Sequence, residues 1–154
     1  MTFTFDVQQK TRGFLNNYLE KLSLNDLNTI PKGYNNNIIW NIGHIIVTEQ
    51  LLVYKLSGLP MLVNDELISK YMKGTKPEGN VTQEEVDDIK GLLFSTIQQT
   101  KTDYNSGKFT DFQEYVLSTT GNTLTKVEEA ISFNLFHEGI HFGYIMALVK
   151  ALKQ

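Results

Sequence analysis

Between Asp6 and Leu22 apolar residues recur at Val7, Phe14, Leu15, Tyr18, Leu19 and Leu22, with Thr11 in the same series. This i, i+3, i+4, i+7 spacing predicts an amphipathic helix. A second periodic stretch follows Pro31, Gly33 and the Asn35 to Asn37 cluster, which supplies an N-cap, and continues to about Ser57, where Gly58 and Pro60 end it. Its apolar residues leave little of the circumference polar. Ile38, Ile42, Ile45, Leu52 and Leu56 mark one side; Trp40, His44, Val47 and Leu51 mark the other. Such a helix is expected to be covered from more than one direction.

Residues 58 to 81 carry Gly58, Pro60, Gly74, Pro77 and Gly79, and only NDELISKYMK among them has helical character, with Asn64 as its cap. A third long helix opens on a capping box at Thr82-Gln83-Glu84-Glu85, runs through Val86, Ile89, Leu93, Ile97, Thr100 and Tyr104, and stops at Asn105, Ser106 and Gly107. A fourth opens on a second capping box, Thr125-Lys126-Val127-Glu128, and reaches about Leu152, with Lys150 and Lys153 at the negative end of its dipole. The stretch FTDFQEYVLSTTGNT between them has strand-like composition but no second strong strand to pair with, so it reads as loop. The expectation is an all-α protein: one domain over residues 1–154, a four-helix bundle with a long connection and a short extra helix between helices 2 and 3.

Cysteine is absent, which removes thiolate metal sites, disulfides and a cysteine nucleophile; a metal would have to be held by His, Asp or Glu. The net charge is −3 with lysines and arginines scattered singly, so no footprint for a phosphate backbone exists and nucleic acid is not an expected partner. The start, MTFTFDVQQK, lacks a basic stretch followed by an apolar one, and no apolar run approaches the roughly 18 residues of a membrane span. A cytoplasmic protein without membrane contact is expected. The doubly apolar second helix exceeds what a small bundle covers, which predicts a homodimer.

All three histidines fall in the two most apolar helices. His137 and His141 are one turn apart in HEGIH and project from one face; His44 can add a third imidazole from the second helix. Buried core histidines would account for the same positions, but three of three in apolar helices, with none on the charged surface, favours a shared metal ion. HEGIH also spells the zincin motif, yet the following HFGYIMALVKALKQ contains neither a further histidine nor a carboxylate to complete that site. Glu138 and His141 form one Glu-x-x-His of a di-iron bundle, but Asn41 stands where the partner motif would need Glu, so a mononuclear site is expected. On the same faces lie Asn134, Tyr144 and Trp40, candidates for lining a substrate pocket. The bland alternative for both aromatics is core packing. Glu138, about 100 degrees round the helix from His137, is a candidate either to orient a ligand from behind or to form an interior ion pair.

WNIGH opening the second helix, GNTLTKVEEA leading into the fourth and FNLFHEGIHFGYIMAL within it resemble the DinB-like superfamily over nearly the whole chain. The resemblance implies that His44, His137 and His141 bind a divalent metal: nickel, zinc, iron or manganese. It departs from many relatives at Gly143-Tyr144, where they carry Gly-Gln. Relatives include bacillithiol S-transferases and a mycothiol-dependent maleylpyruvate isomerase, which implies a metal-dependent enzyme acting on a small molecule, with a low-molecular-weight thiol as co-substrate, or a related hydrolase. The alternative is a non-catalytic metal or small-ligand binding protein of the stress response, and a third is a structural dimer with buried histidines.

Overall fold

Side-chain caps begin three of the expected helices where the sequence places them. Asn37 Oδ1 accepts the Trp40 N–H at 2.9 Å, Asn64 Oδ1 the Leu67 N–H at 2.9 Å and Thr82 Oγ1 the Glu85 N–H at 3.2 Å. The computed structural model describes residues 1–153. Its helices are α1 (Thr2–Lys21), α2 (Leu24–Asn28), α3 (Ile38–Glu49), α4 (Asp65–Tyr71), α5 (Gln83–Asn105) and α6 (Val127–Ala151). The all-α expectation therefore holds. No helix among the described residues is long and apolar enough to cross a membrane.

Four long helices pack pairwise, α1 on α5 and α6, and α3 on α5 and α6, while α2 and α4 cover the outer sides of α3. Every residue from Ile38 to Val47 is consequently buried. The extra cover that the doubly apolar helix requires comes from the chain's own α2 and α4, so α3 offers no free face to a second copy. The apolar interior falls into two parts. One contains Leu15 and Leu19 of α1, Ile38, Ile42, Ile45 and Val47 of α3, Leu93 of α5 and Leu148 of α6. The other contains Phe5 of α1, Val53, Ile97 of α5 and Ile131 of α6.

Between the two apolar parts each long helix contributes a polar residue, and Arg12 is their centre. The buried face of α1 runs Phe5, Gln8, Arg12, Leu15, Leu19, and the guanidinium has no solvent exposure. Arg12 Nη2 meets Glu49 Oε2 of α3 at 2.7 Å and Glu138 Oε1 of α6 at 2.6 Å; Nη1 donates to Leu93 O and Thr96 Oγ1 of α5 at 2.9 and 2.8 Å; Nε donates to Glu138 at 3.1 Å. The periodic series shares Leu15 and Leu19 with this face but also takes in Phe14, which is 56% exposed, and leaves out Gln8 and Arg12. A residue rule that keeps arginine at the surface fails when two carboxylates wait inside.

Five further corrections concern ends and connections. α2 was not expected; its N-terminus is closed by a reciprocal Ser23–Asp26 box. The second helix does not stay α-helical to Ser57, because Gln50–Lys55 widens into a π turn, which no residue type announces. Only half of the expected box at Thr82 forms, since the Glu85 side chain is taken by Tyr71 and Lys70. At α6 the cap position is Lys126, and Thr125 gives its N–H and hydroxyl to Glu129 in place of a capping box. The loop before α6 pairs with itself: Tyr115–Val116 (β1) and Thr123–Leu124 (β2) form an antiparallel ribbon in the register Tyr115 to Leu124 and Val116 to Thr123. Its partner strand lay at its own far end, across Gly121 with φ of 77°.

Removing Arg12 strands two buried carboxylates. Arg12→Ala is expected to cost about 3–5 kcal/mol in urea unfolding, and replacing Arg12, Glu49 and Glu138 together by apolar residues of similar volume should recover most of that loss. A loss below about 1 kcal/mol for Arg12→Ala would contradict the central role of the network.

Candidate metal centre and its cavity

His44 sits mid-way along α3, and its ring is oriented from two sides. Trp40, one turn earlier, stacks on it with centroids 4.8 Å apart and planes 10° from parallel. Its Nδ1 is 2.6 Å from the carbonyl oxygen of Tyr71, at the end of α4. A carbonyl can only accept, so Nδ1 carries the proton and Nε2 presents a lone pair inward. Gly43 makes this contact feasible: a Cβ there would lie 2.6 Å from the Tyr71 ring, so only glycine lets α4 approach α3 this closely. The Tyr71 hydroxyl is in turn held by Glu85 Oε1 at 2.7 Å.

His141 is oriented by the same logic from a different partner. Its Nδ1 lies 2.8 Å from Asn41 Oδ1, and Asn41 Nδ2 donates to Asn36 Oδ1 and Asn37 O, which settles which end of that amide faces the imidazole. His141 Nε2 is therefore also a lone pair, and it lies 3.2 Å from His137 Nε2. Two nitrogens bound to one tetrahedral ion at about 2.05 Å would be roughly 3.3 Å apart. The three histidines offer ligand atoms that all lie within 4.8 Å of one another and form a group able to hold a metal ion. Their ring centroids are 4.5 to 5.1 Å apart.

Electrostatics keep the rings neutral. Burial is the largest cause in each case. It lowers His44, takes His141 down to about 4 with help from His44, and takes His137 down to about 3 with help from both neighbours. Inward lone pairs on neutral, buried imidazoles are what a divalent cation requires. The Nδ1 of His137 is buried without a hydrogen-bond partner, so this ring lacks the outer support its two neighbours have.

The centre opens on a cavity of about 250 Å³ that His44 and His137 both line. Thr48 Oγ1 is 3.4 Å from His44 Nε2. Leu51, Leu52, Lys55 and Leu56, at and just beyond the π turn, form one wall; Phe133 comes from α6, and Lys73 and the Tyr115–Thr119 segment form the rim. A larger cleft of about 1120 Å³ lies on the other side of Trp40, against α4 and residues 74–81, but none of the histidines reaches it.

The other expected pocket residues fare differently. Trp40 stacks on His44 but lines the larger cleft and not the cavity beside the histidines, and its indole N–H points away to Lys70 O and Thr75 Oγ1, both at 3.2 Å. Asn134 is buried and donates back to Ala130 O of its own helix at 3.0 Å, and Tyr144 packs edge-on against Tyr34, 5.6 Å away; neither lines the cavity. Glu138 takes the ion-pair role, with Arg12. Burial raises its pKa against the pull of Arg12. Sequence reasoning missed Asn41, Tyr71, Thr48, Lys55 and Lys73. Asn41 and Thr48 carried a readable signal, since they lie three residues before and four after His44.

The sequence profile of the DinB superfamily matches residues 9–145, a span that takes in all three histidines. The chain belongs to the DinB superfamily. No curated protein matches it.

Gly43→Ala should drive the Tyr71 ring away and break the His44 support, at a cost of about 1–3 kcal/mol in unfolding free energy. Nitrogen-15 NMR of the His44 ring should then report a mixture of tautomers in place of Nδ1–H alone. Retention of the single tautomer together with wild-type stability would sink this account.

Proposed function

We propose that this protein is a divalent-metal-dependent enzyme whose mononuclear centre is His44, His137 and His141, acting on a small molecule in the adjoining cavity as a thiol-dependent S-transferase or a related hydrolase. The observation that carries the reading is the pair of inward Nε2 lone pairs set by Tyr71 O and Asn41 Oδ1. Core histidines need no such orientation, whereas a cation site does. An ion held by three neutral imidazoles would supply Lewis acidity, so that a water or thiol beside it loses its proton more readily. The chain's own groups do the rest: Thr48 offers a hydroxyl next to His44, Leu51, Leu52 and Phe133 keep the cavity apolar, and Trp40 holds the His44 ring in plane. A non-catalytic binding protein is the second reading, and the open cavity beside the histidines favours the enzyme over it.

His44→Ala and His141→Ala are expected to lose metal while remaining folded, because apolar packing and the Arg12 network hold the helices together. Elemental analysis of untagged protein beside thermal melting checks this. Unchanged metal stoichiometry in both variants would refute the site, and turnover of thiol and electrophile mixtures by metal-loaded protein separates enzyme from binder.

We also propose a homodimer, through α6 and not through α3. Phe136, Gly139, Ile140, Gly143 and Met146 recur at helical spacing on the outer face of α6 with Phe136, Ile140 and Met146 about half exposed, and Phe14 stacks on Phe142 beside them. Two glycines one turn apart allow a second α6 to approach closely. Light scattering should give twice the 17.6 kDa chain mass, and Ile140→Glu should return it to the monomer. A wild-type mass of one chain would overturn the dimer.

A further inference from the structure

The walls of the cavity beside the histidines have a charge opposite to that of the chain as a whole. The protein has 17 acidic and 14 basic residues, yet the cavity is lined by Lys55 and Lys73 and by no aspartate or glutamate. Neither lysine has a carboxylate within 4.0 Å among the described residues. Lys73 donates to Ser118 Oγ at the turn of the β ribbon, which ties it to the rim. The remaining lining is chiefly apolar, from Leu52, Leu117 and Phe133 among others.

We propose that the cavity selects a small organic acid, with its carboxylate held by Lys55 and Lys73 and its apolar body against the leucine and phenylalanine wall, beside the histidine centre. The proposal rests on the reading of that centre as the reactive one, since it takes the adjoining space as the substrate's. Its physical basis is asymmetric. A carboxylate between two ammonium groups gains charge-assisted hydrogen bonds, a cation there is repelled by both, and a neutral molecule keeps only its apolar contacts. At about 250 Å³ the space is below the roughly 300–1,000 Å³ of pockets for drug-sized ligands, so the acid is of modest length. Lys55 and Lys73 are positioned as specificity determinants.

Calorimetric titration of the metal-loaded protein with hexanoate, hexanesulfonate, hexanamide and hexylamine tests this. Both anions should bind at least about tenfold more tightly than the amide, with the amine weakest. The sulfonate, a poor metal ligand, separates capture by lysine from ligation by the ion. Lys55→Gln and Lys73→Gln should each reduce anion affinity severalfold and leave amide affinity and metal content unchanged; the double variant should abolish the preference, and Lys73→Arg should retain it. Equal binding of anions and amide, a preference shown by hexanoate alone, or a preference that survives in the double variant would overturn the proposal. Because the lysines are not ligands, failure of the metal reading would appear in the metal content of His44→Ala without altering the anion preference, so the two failures are told apart.

Discussion

A guanidinium with no access to water organises this protein. Burying Arg12 costs several kcal/mol in lost hydration, and that cost is offset only if every donor finds an acceptor in good geometry. Here all three nitrogens do so, through groups on α3, α5 and α6. Apolar packing tolerates small rotations of a helix about its axis, whereas a buried ion pair in which two guanidinium N–H groups converge on one carboxylate oxygen tolerates them far less. The polar layer therefore sets the rotation of α6 relative to α3, and that rotation decides which way His137 and His141 face, because Glu138 is the next residue along the same helix. The centre and the ion-pair network are two sides of one α6 turn.

From that placement the remaining geometry follows by support from behind. His44 and His141 each have the outer nitrogen occupied, by a backbone carbonyl in one case and a side-chain amide in the other, so their inner nitrogens are aimed before anything binds. The cost appears in sequence requirements beyond the histidines themselves: a glycine at position 43 to admit Tyr71, a glutamate at 85 to hold the tyrosine, and Asn36 and Asn37 to cap α3 and orient Asn41. His137 lacks such a partner and is the least constrained of the three.

Much of this was legible in the sequence where a signal is local and repeated. Helical periodicity located the long helices, and asparagine caps located the starts of α3 and α4, because both depend on residues within one turn of each other. The histidines were legible as a group because an i, i+4 pair and one remaining imidazole leave a single way to assemble them. What was hidden depends on partners distant in sequence. Arg12 reads as a surface residue until Glu49 and Glu138 are beside it, 37 and 126 positions away. The π turn after Glu49 and the self-paired ribbon after α5 have no compositional marker, and Lys55 and Lys73 acquire meaning only from the cavity between them.

The cavity's two kinds of wall have a consequence for how such a protein diversifies. Its inner side belongs to rigid helices already committed to holding the imidazoles, and substitutions there disturb the centre itself. Its rim includes the exposed Ser118 and Thr119 and the segment just after α4, which lie outside the packed interior and tolerate change in residue type, whereas Leu117 beside them is anchored in the core. The histidine cluster and most of the rim are thereby carried by separable parts of the chain. A lineage can thus rewrite a handful of rim residues, and with them the shape and charge of the cavity mouth, while the histidine cluster at its base is inherited intact.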